Sequence, residues 1–115
     1  MEKRHIVLDT ETTGLEVEKG HRIIEIGGVV MNGRKKTTET FHVYVNPQRE
    51  IDKEAQEVHG ISNEDVQDKP LFSEIAEDLL EFIDGSTLVI HNADFDVGFL
   101  DAEFKIASST YPTIS

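Results

Sequence analysis

The chain has no cysteine, which excludes a disulfide framework, a thiolate zinc site and a cysteine nucleophile, and fits a reducing cytosol. No apolar run approaches the roughly 20 residues that a membrane helix needs. The first residues, MEKRHIVLD, lack the apolar core of a signal peptide. A soluble, cytoplasmic protein with no membrane attachment is expected. Internal repeats and low-complexity segments are also absent. Cations are scarce: 11 Lys and Arg stand against 23 Asp and Glu, a net charge of −12. Proteins that grip duplex DNA by its phosphates carry the opposite balance, so a long electrostatic footprint on DNA is excluded. Processing of a nucleic-acid end through bound cations is not, because carboxylates that hold Mg²⁺ reverse the local field. The acidity also serves solubility.

What is present suits one domain. A chain of 115 residues, 37% hydrophobic and 30% charged, is ordinary for a globular protein and buries about two-thirds of its unfolded surface. His5-Ile6-Val7-Leu8 reads as a buried strand ending in the polar turn Asp9-Thr10-Glu11-Thr12-Thr13-Gly14. Residues 15–21 form a charged loop. A second strand covers 22–31, where Gly27-Gly28 mark a close backbone approach or a bulge. Asn32-Gly33 opens a hairpin turn and 37–45 returns as a third strand, with Phe41, Val43 and Val45 on one face. Asn46-Pro47 stops the sheet.

Helical signals follow. Asp52 is placed to cap a short helix through Val58, with Gly60 just past its end, and Ser62 with Asp65 resembles a capping box. Leu71, Ile75, Leu79, Phe82 and Ile83 fall at helical spacing, with Gly85 as the stop. Residues 87–90 form a fourth strand, apolar enough to be central. Phe95, Phe99, Ala102 and Ile106 stripe a last helix that 108–112 ends. The order β-β-β-α-α-β-α predicts an α/β fold: a three-strand antiparallel start, then a helical crossover to a further strand, flanked by helices.

Asp9 and Glu11, two apart, project to the same face at the carboxyl end of a central strand, where open α/β sheets place ligands. Two carboxylates this close repel unless a cation shields them. A hard divalent ion, Mg²⁺ or Mn²⁺ before zinc, suits oxygen donors; a solvated strand end is the competing account. A second acidic group, Asp94 and Asp96, follows the fourth strand, which could lie beside the first. Either acid also suits a helix N-terminus, so one of them serves as a cap.

Four blocks now stand in order: Ile6-Val7-Leu8-Asp9-Thr10-Glu11-Thr12-Thr13-Gly14; Ile23-Ile24-Glu25-Ile26-Gly27; Val58-His59-Gly60-Ile61; and His91-Asn92-Ala93-Asp94-Phe95-Asp96-Val97-Gly98-Phe99. Together they resemble the DEDD exonucleases in their histidine-containing branch, and within it the epsilon proofreading subunits of bacterial DNA polymerase III. The resemblance implies an RNase H-like fold and two-metal hydrolysis of the 3′-terminal phosphodiester, with Mg²⁺ or Mn²⁺ as cofactor. It makes Asp9, Glu11 and Asp96 the catalytic and metal-binding acids and leaves Asp94 as the cap. Glu54 and His59 match positions that contact the terminal nucleotide, alongside Asp9 and Glu11; an exposed helix residue and a helix-end histidine are their plainer readings. Thr12 and Phe95 would help seat the terminal sugar and base, although core packing accounts for Phe95 equally. Glu25 receives no catalytic role. Implied partners are the 3′ end of single-stranded or frayed DNA and the other DNA polymerase III core subunits.

The family pattern also needs a general-base His followed five positions later by a fourth Asp. His91 and Asp96 have that spacing, but across a strand-to-helix junction, so His91 is read as structural or substrate-side. The other four histidines have no Asp at that distance. The expectation is a single exonuclease-type domain over 1–115 that is only the N-terminal portion of its fold, with motif one at 9–14, motif two at 91–99 and no third motif. Activity should fall by roughly 10²–10⁴-fold or more without the base, and apolar surface should be exposed on strand four and its helix. Two alternatives remain: an RNA 3′→5′ exonuclease of the oligoribonuclease or RNase T type, and a non-catalytic remnant that binds a nucleotide or a protein.

Overall fold

A computed structural model describes residues 4–110, the last three through their backbone alone. Strand β1 (Arg4–Thr12) is followed by a single 3₁₀ turn (Val17–Lys19), then the hairpin of β2 (Ile23–Asn32) and β3 (Lys35–Tyr44). Helices α1 (Lys53–His59), α2 (Asn63–Val66) and α3 (Phe72–Ile83) lead to β4 (Thr87–Val89) and the long helix α4 (Ala93–Thr110). The sheet order is β3-β2-β1-β4, antiparallel except for β1 and β4. This is the mixed sheet that the sequence pattern predicts, with one more short helix than expected.

Alternation builds the core. Ile6 and Leu8 of β1 and Ile26 and Val30 of β2 are buried on one sheet face. Phe72, Ile75 and Leu79 of α3 and Phe99 and Leu100 of α4 complete the cluster. Each such side chain contributes about 1.5–3 kcal/mol when taken fully out of water. Gly28 is the close approach: a Cβ there would stand 2.9 Å from Phe82 Cε2 and 3.3 Å from Leu8 Cδ1. A smaller cluster of Ile24, Ile51, Ile61 and Val66 seats α1 and α2.

Four expectations change. β1 runs on through Thr12 because β2 keeps pairing with it, Thr10 opposite Ile26 and Glu11 opposite Glu25; the polar residues are strand, not turn. Among the described residues β4 pairs with β1 alone, so it lies at the sheet edge and is not central. Ile106 leaves the buried stripe of α4, whose inward face carries Asp96, Phe99, Leu100, Glu103 and Ala107. The backbone of α4 continues to Thr110, past the expected stop at Ser108, while Tyr111 and Pro112 lie outside the described residues. The expected apolar exposure is present: Val89 of β4, Val97 and Ile106 of α4 and Val7 of β1 are all exposed. No helix among the described residues is long and apolar enough to cross a membrane.

Candidate active site

Strand alternation aims Asp9 and Glu11 away from the core, while Thr10 between them and Thr12 after them are buried. The register shifts between Glu11 and Thr12, an irregularity that ends the ladder beside the acids. β4 runs parallel to β1 with Val7 opposite Val89, so the chain leaving β4 starts α4 next to Asp9. Asp96 lies in the first turn of α4 and is only 4% exposed.

The three acids feel one another. Burial raises the Glu11 pKa, and Asp9, Glu25 and Asp96 raise it further against an opposing pull from His59. Burial likewise raises Asp96, and Asp9 adds to this, while Thr10 and His91 oppose it. The Thr10 hydroxyl influences Asp96 at a geometry short of a full hydrogen bond, and Thr10 Oγ1 is the one buried side-chain polar atom without a partner among the described residues. No Lys or Arg pairs with Asp9, Glu11 or Asp96 among those residues. An all-oxygen donor set with mutually destabilised charges fits a hard divalent cation. The acids are neighbours in charge but not a closed cage: among the described residues no three His, Asp or Glu side chains converge as metal ligands.

Beside Glu11 opens a cavity of about 470 Å³, within the size range of small-molecule sites. Glu11, Thr12, Glu54, His59 and Phe95 all line it, so three stretches distant in sequence, β1, α1 and α4, meet where the motifs predict a terminal nucleotide. Asp9 and Asp96 stand outside its lining. His59 is the last residue of α1, yet its ring reaches β1. Its Nδ1 accepts the Ile61 N–H at 3.0 Å, so the ring proton sits on Nε2, 3.2 Å from the Thr12 carbonyl. Thr12 donates its hydroxyl to the Gly14 carbonyl at 2.6 Å and so shapes the turn. Phe95 is half-buried against Phe99, with ring centroids 4.8 Å apart. It serves core and cavity at once.

Sequence reasoning missed Leu15 and Val58 on the cavity rim, 80% and 85% exposed. Their only signal is that each is a lone large apolar residue on an otherwise polar segment. It also missed the role of Asp52. That residue occupies the N-terminal cap position of α1, but its side chain makes no cap hydrogen bond and lies against His21 instead. The box formed by Ser62 and Asp65 is present as expected, and Gly60 ends α1 in the left-handed conformation. His91 sits in the turn before α4 and not on it.

Comparison with known proteins gives the family and the fold. The exonuclease family model RNase_T matches residues 6–115. DNA polymerase III subunit epsilon of Rickettsia typhi is 53% identical over 107 residues, which cover 93% of this chain and 47% of that protein. The subunit of the same name from Escherichia coli K12 is 50% identical over 113 residues, covering 95% and 46%. The chain thus spans about half the length of the curated relatives it matches. Among solved structures, exonuclease X in complex with 5′ overhanging duplex DNA aligns with a TM-score of 0.66 at 33% identity, over 83% of this chain and 52% of that one. The nuclease domain of 3′hExo, a DEDDh family member bound to rAMP, aligns with a TM-score of 0.75 over 92% of this chain and 60% of that one. At 20% identity the second match shows the fold alone.

Proposed function

The chain belongs to the RNase_T exonuclease family, and on that premise we propose that it works as a 3′→5′ exonuclease of the epsilon proofreading type. It would hydrolyse the 3′-terminal phosphodiester of single-stranded or frayed DNA and release nucleoside monophosphates. The observation that carries this reading is the cavity opening directly on Glu11, walled by Thr12, Glu54, His59 and Phe95. The likeness to epsilon subunits favours DNA over RNA, and other polymerase III core subunits are the proposed partners.

Asp9, Glu11 and Asp96 would hold Mg²⁺ or Mn²⁺. When bound, a pair of such ions supplies a hydroxide at neutral pH and charge stabilisation for the leaving 3′ oxygen. The chain's own residues do the rest. His59, tied to the Thr12 carbonyl, keeps α1 against the end of β1, so that Glu54 and Glu11 face the same space. Half-buried Phe95 and the exposed Leu15 and Val58 offer apolar surface to a base and sugar, and would exclude water once a nucleotide enters. Among the described histidines, His21 is engaged by Thr13 and Asp52, His42 by Glu25, and His59 by Thr12 and Ile61. These three rings are held in place by protein groups.

The test is release of label from 3′-labelled single-stranded DNA and RNA with Mg²⁺ or Mn²⁺, beside an EDTA control and Asp9→Ala. Slow, metal-dependent release of monophosphates that Asp9→Ala abolishes is expected, with DNA preferred. Release that survives EDTA or Asp9→Ala, or cleavage at internal bonds, would refute the proposal. A preference for RNA would move the substrate to the RNA-processing branch. Absence of turnover with metal-dependent nucleotide binding retained would favour a non-catalytic binder.

A further inference from the structure

In the wall of the cavity, which His21, Gly14 and Asp52 help to line, a chain of contacts joins the end of β1 to the start of α1 through a histidine that no motif assigns. His21 is 9% exposed. Its Nδ1 lies 2.9 Å from Thr13 Oγ1 and its Nε2 lies 3.4 Å from Asp52 Oδ2. Thr13 Oγ1 also accepts the Arg22 N–H at 3.0 Å. One arrangement satisfies every group: Thr13 donates its hydroxyl proton to Nδ1, and Nε2–H points to the Asp52 carboxylate.

The backbone runs the same course. Thr13 N donates to the Arg22 carbonyl at 2.8 Å, and Asp52 N donates to the Thr13 carbonyl at 2.9 Å. The ring lies flat on Gly14, where a Cβ would collide with three of its atoms. Glycine at 14 is therefore required by the ring and not by a left-handed backbone. Asp52, for its part, leaves the N-terminus of α1 without a side-chain cap while facing His21.

We propose that His21 is a positioning residue: through Thr13 and Asp52 it sets the spacing between the Asp9–Glu11 strand and the α1 residues Glu54 and His59 across the cavity. The functional consequence rests on the exonuclease reading, whereas the spacing itself does not. Misplacement of substrate-contacting groups by about 1 Å costs on the order of 10²-fold in rate, so the device matters to function well before the fold fails.

The experiment compares the wild-type chain with His21→Ala, Asp52→Ala, Asp52→Asn and Gly14→Ala. It reads Mn²⁺ affinity, Mn²⁺-dependent dTMP affinity, and amide hydrogen exchange at Asp52 and Ile61. His21→Ala, Asp52→Ala and Gly14→Ala should weaken dTMP binding by about tenfold or more, leave Mn²⁺ affinity unchanged and speed exchange at both amides. Exchange in α3 and α4 should stay slow. Asp52→Asn, which keeps an oxygen facing Nε2, should retain wild-type behaviour. Unchanged exchange at Asp52 and Ile61 in His21→Ala overturns the proposal, as does a parallel loss of Mn²⁺ and dTMP affinity, which marks general collapse of the site. A wild-type chain that binds neither Mn²⁺ nor dTMP strikes the exonuclease reading instead, and the exchange result still decides the role of His21.

Discussion

Replacing Glu103 with alanine should cost this chain a large part of its stability. Glu103 is 2% exposed on the inward face of α4, seven residues beyond Asp96. Its carboxylate accepts from Arg22 Nε at 2.9 Å and Nη2 at 2.7 Å, and from the Ile23 N–H at 2.9 Å. The Glu103→Ala change strands a largely buried guanidinium and a buried amide together. Breaking one side of such a pair costs about 3–5 kcal/mol, because the uncompensated charge stays behind. Small domains hold only about 5–15 kcal/mol in total. With a urea slope near 1.5–2 kcal/mol per molar, the unfolding midpoint should fall by roughly 1.5–3 M. Burying an apolar pair instead, with Arg22→Met and Glu103→Leu combined, should recover more than half of the loss. The assay is urea unfolding followed by circular dichroism for the wild-type chain, Glu103→Ala and the double variant. A loss below about 1 kcal/mol for Glu103→Ala, within the range of an exposed pair, would refute the reasoning. So would a double variant no more stable than Glu103→Ala.

Other outcomes follow from the site. Burial first and then Asp9 raise the Asp96 pKa, so the folded chain holds that proton more tightly than the unfolded chain does. The stabilising contribution is therefore complete below the ordinary carboxylate pKa and is lost as pH rises through the elevated one. Asp96→Asn should accordingly stabilise the metal-free chain at pH 7 and change nothing near pH 3, which urea midpoints across pH will show; equal effects at both pH values would contradict it. Val58 is so exposed that Val58→Ser should alter stability by no more than about 0.5 kcal/mol. The same change should weaken dTMP binding or raise KM; unchanged nucleotide affinity would remove Val58 from the rim.

How much of this was legible in the sequence depends on the range of the interaction. Alternation placed Asp9 and Glu11 on one face of β1, and Asn32-Gly33 and the Ser62–Asp65 box marked their turns, because all of these are local. The partnership of β4 with β1 was anticipated, but its edge position was not: an apolar run does not tell how many strands lie alongside. Nothing local in the sequence marks Glu103 as buried, because its partner is 81 residues away. Asp52 read as a cap because its true neighbour, His21, approaches from another loop. Leu15 and Val58 gain meaning only when the segment after β1 and helix α1 meet around one cavity. In Asp96 the two sequence readings coincide, an acid in the first turn of α4 that is also a neighbour of Asp9.

Asp9, Glu11 and Asp96 are proposed to hold a divalent cation beside a cavity for the terminal nucleotide. Calorimetric titration of dTMP into the chain, with Mn²⁺ and then with EDTA, tests it most directly when repeated on Asp9→Ala. The account predicts heat of binding with Mn²⁺, none with EDTA and none in Asp9→Ala. Binding of equal affinity with and without metal, or undiminished in Asp9→Ala, would contradict it.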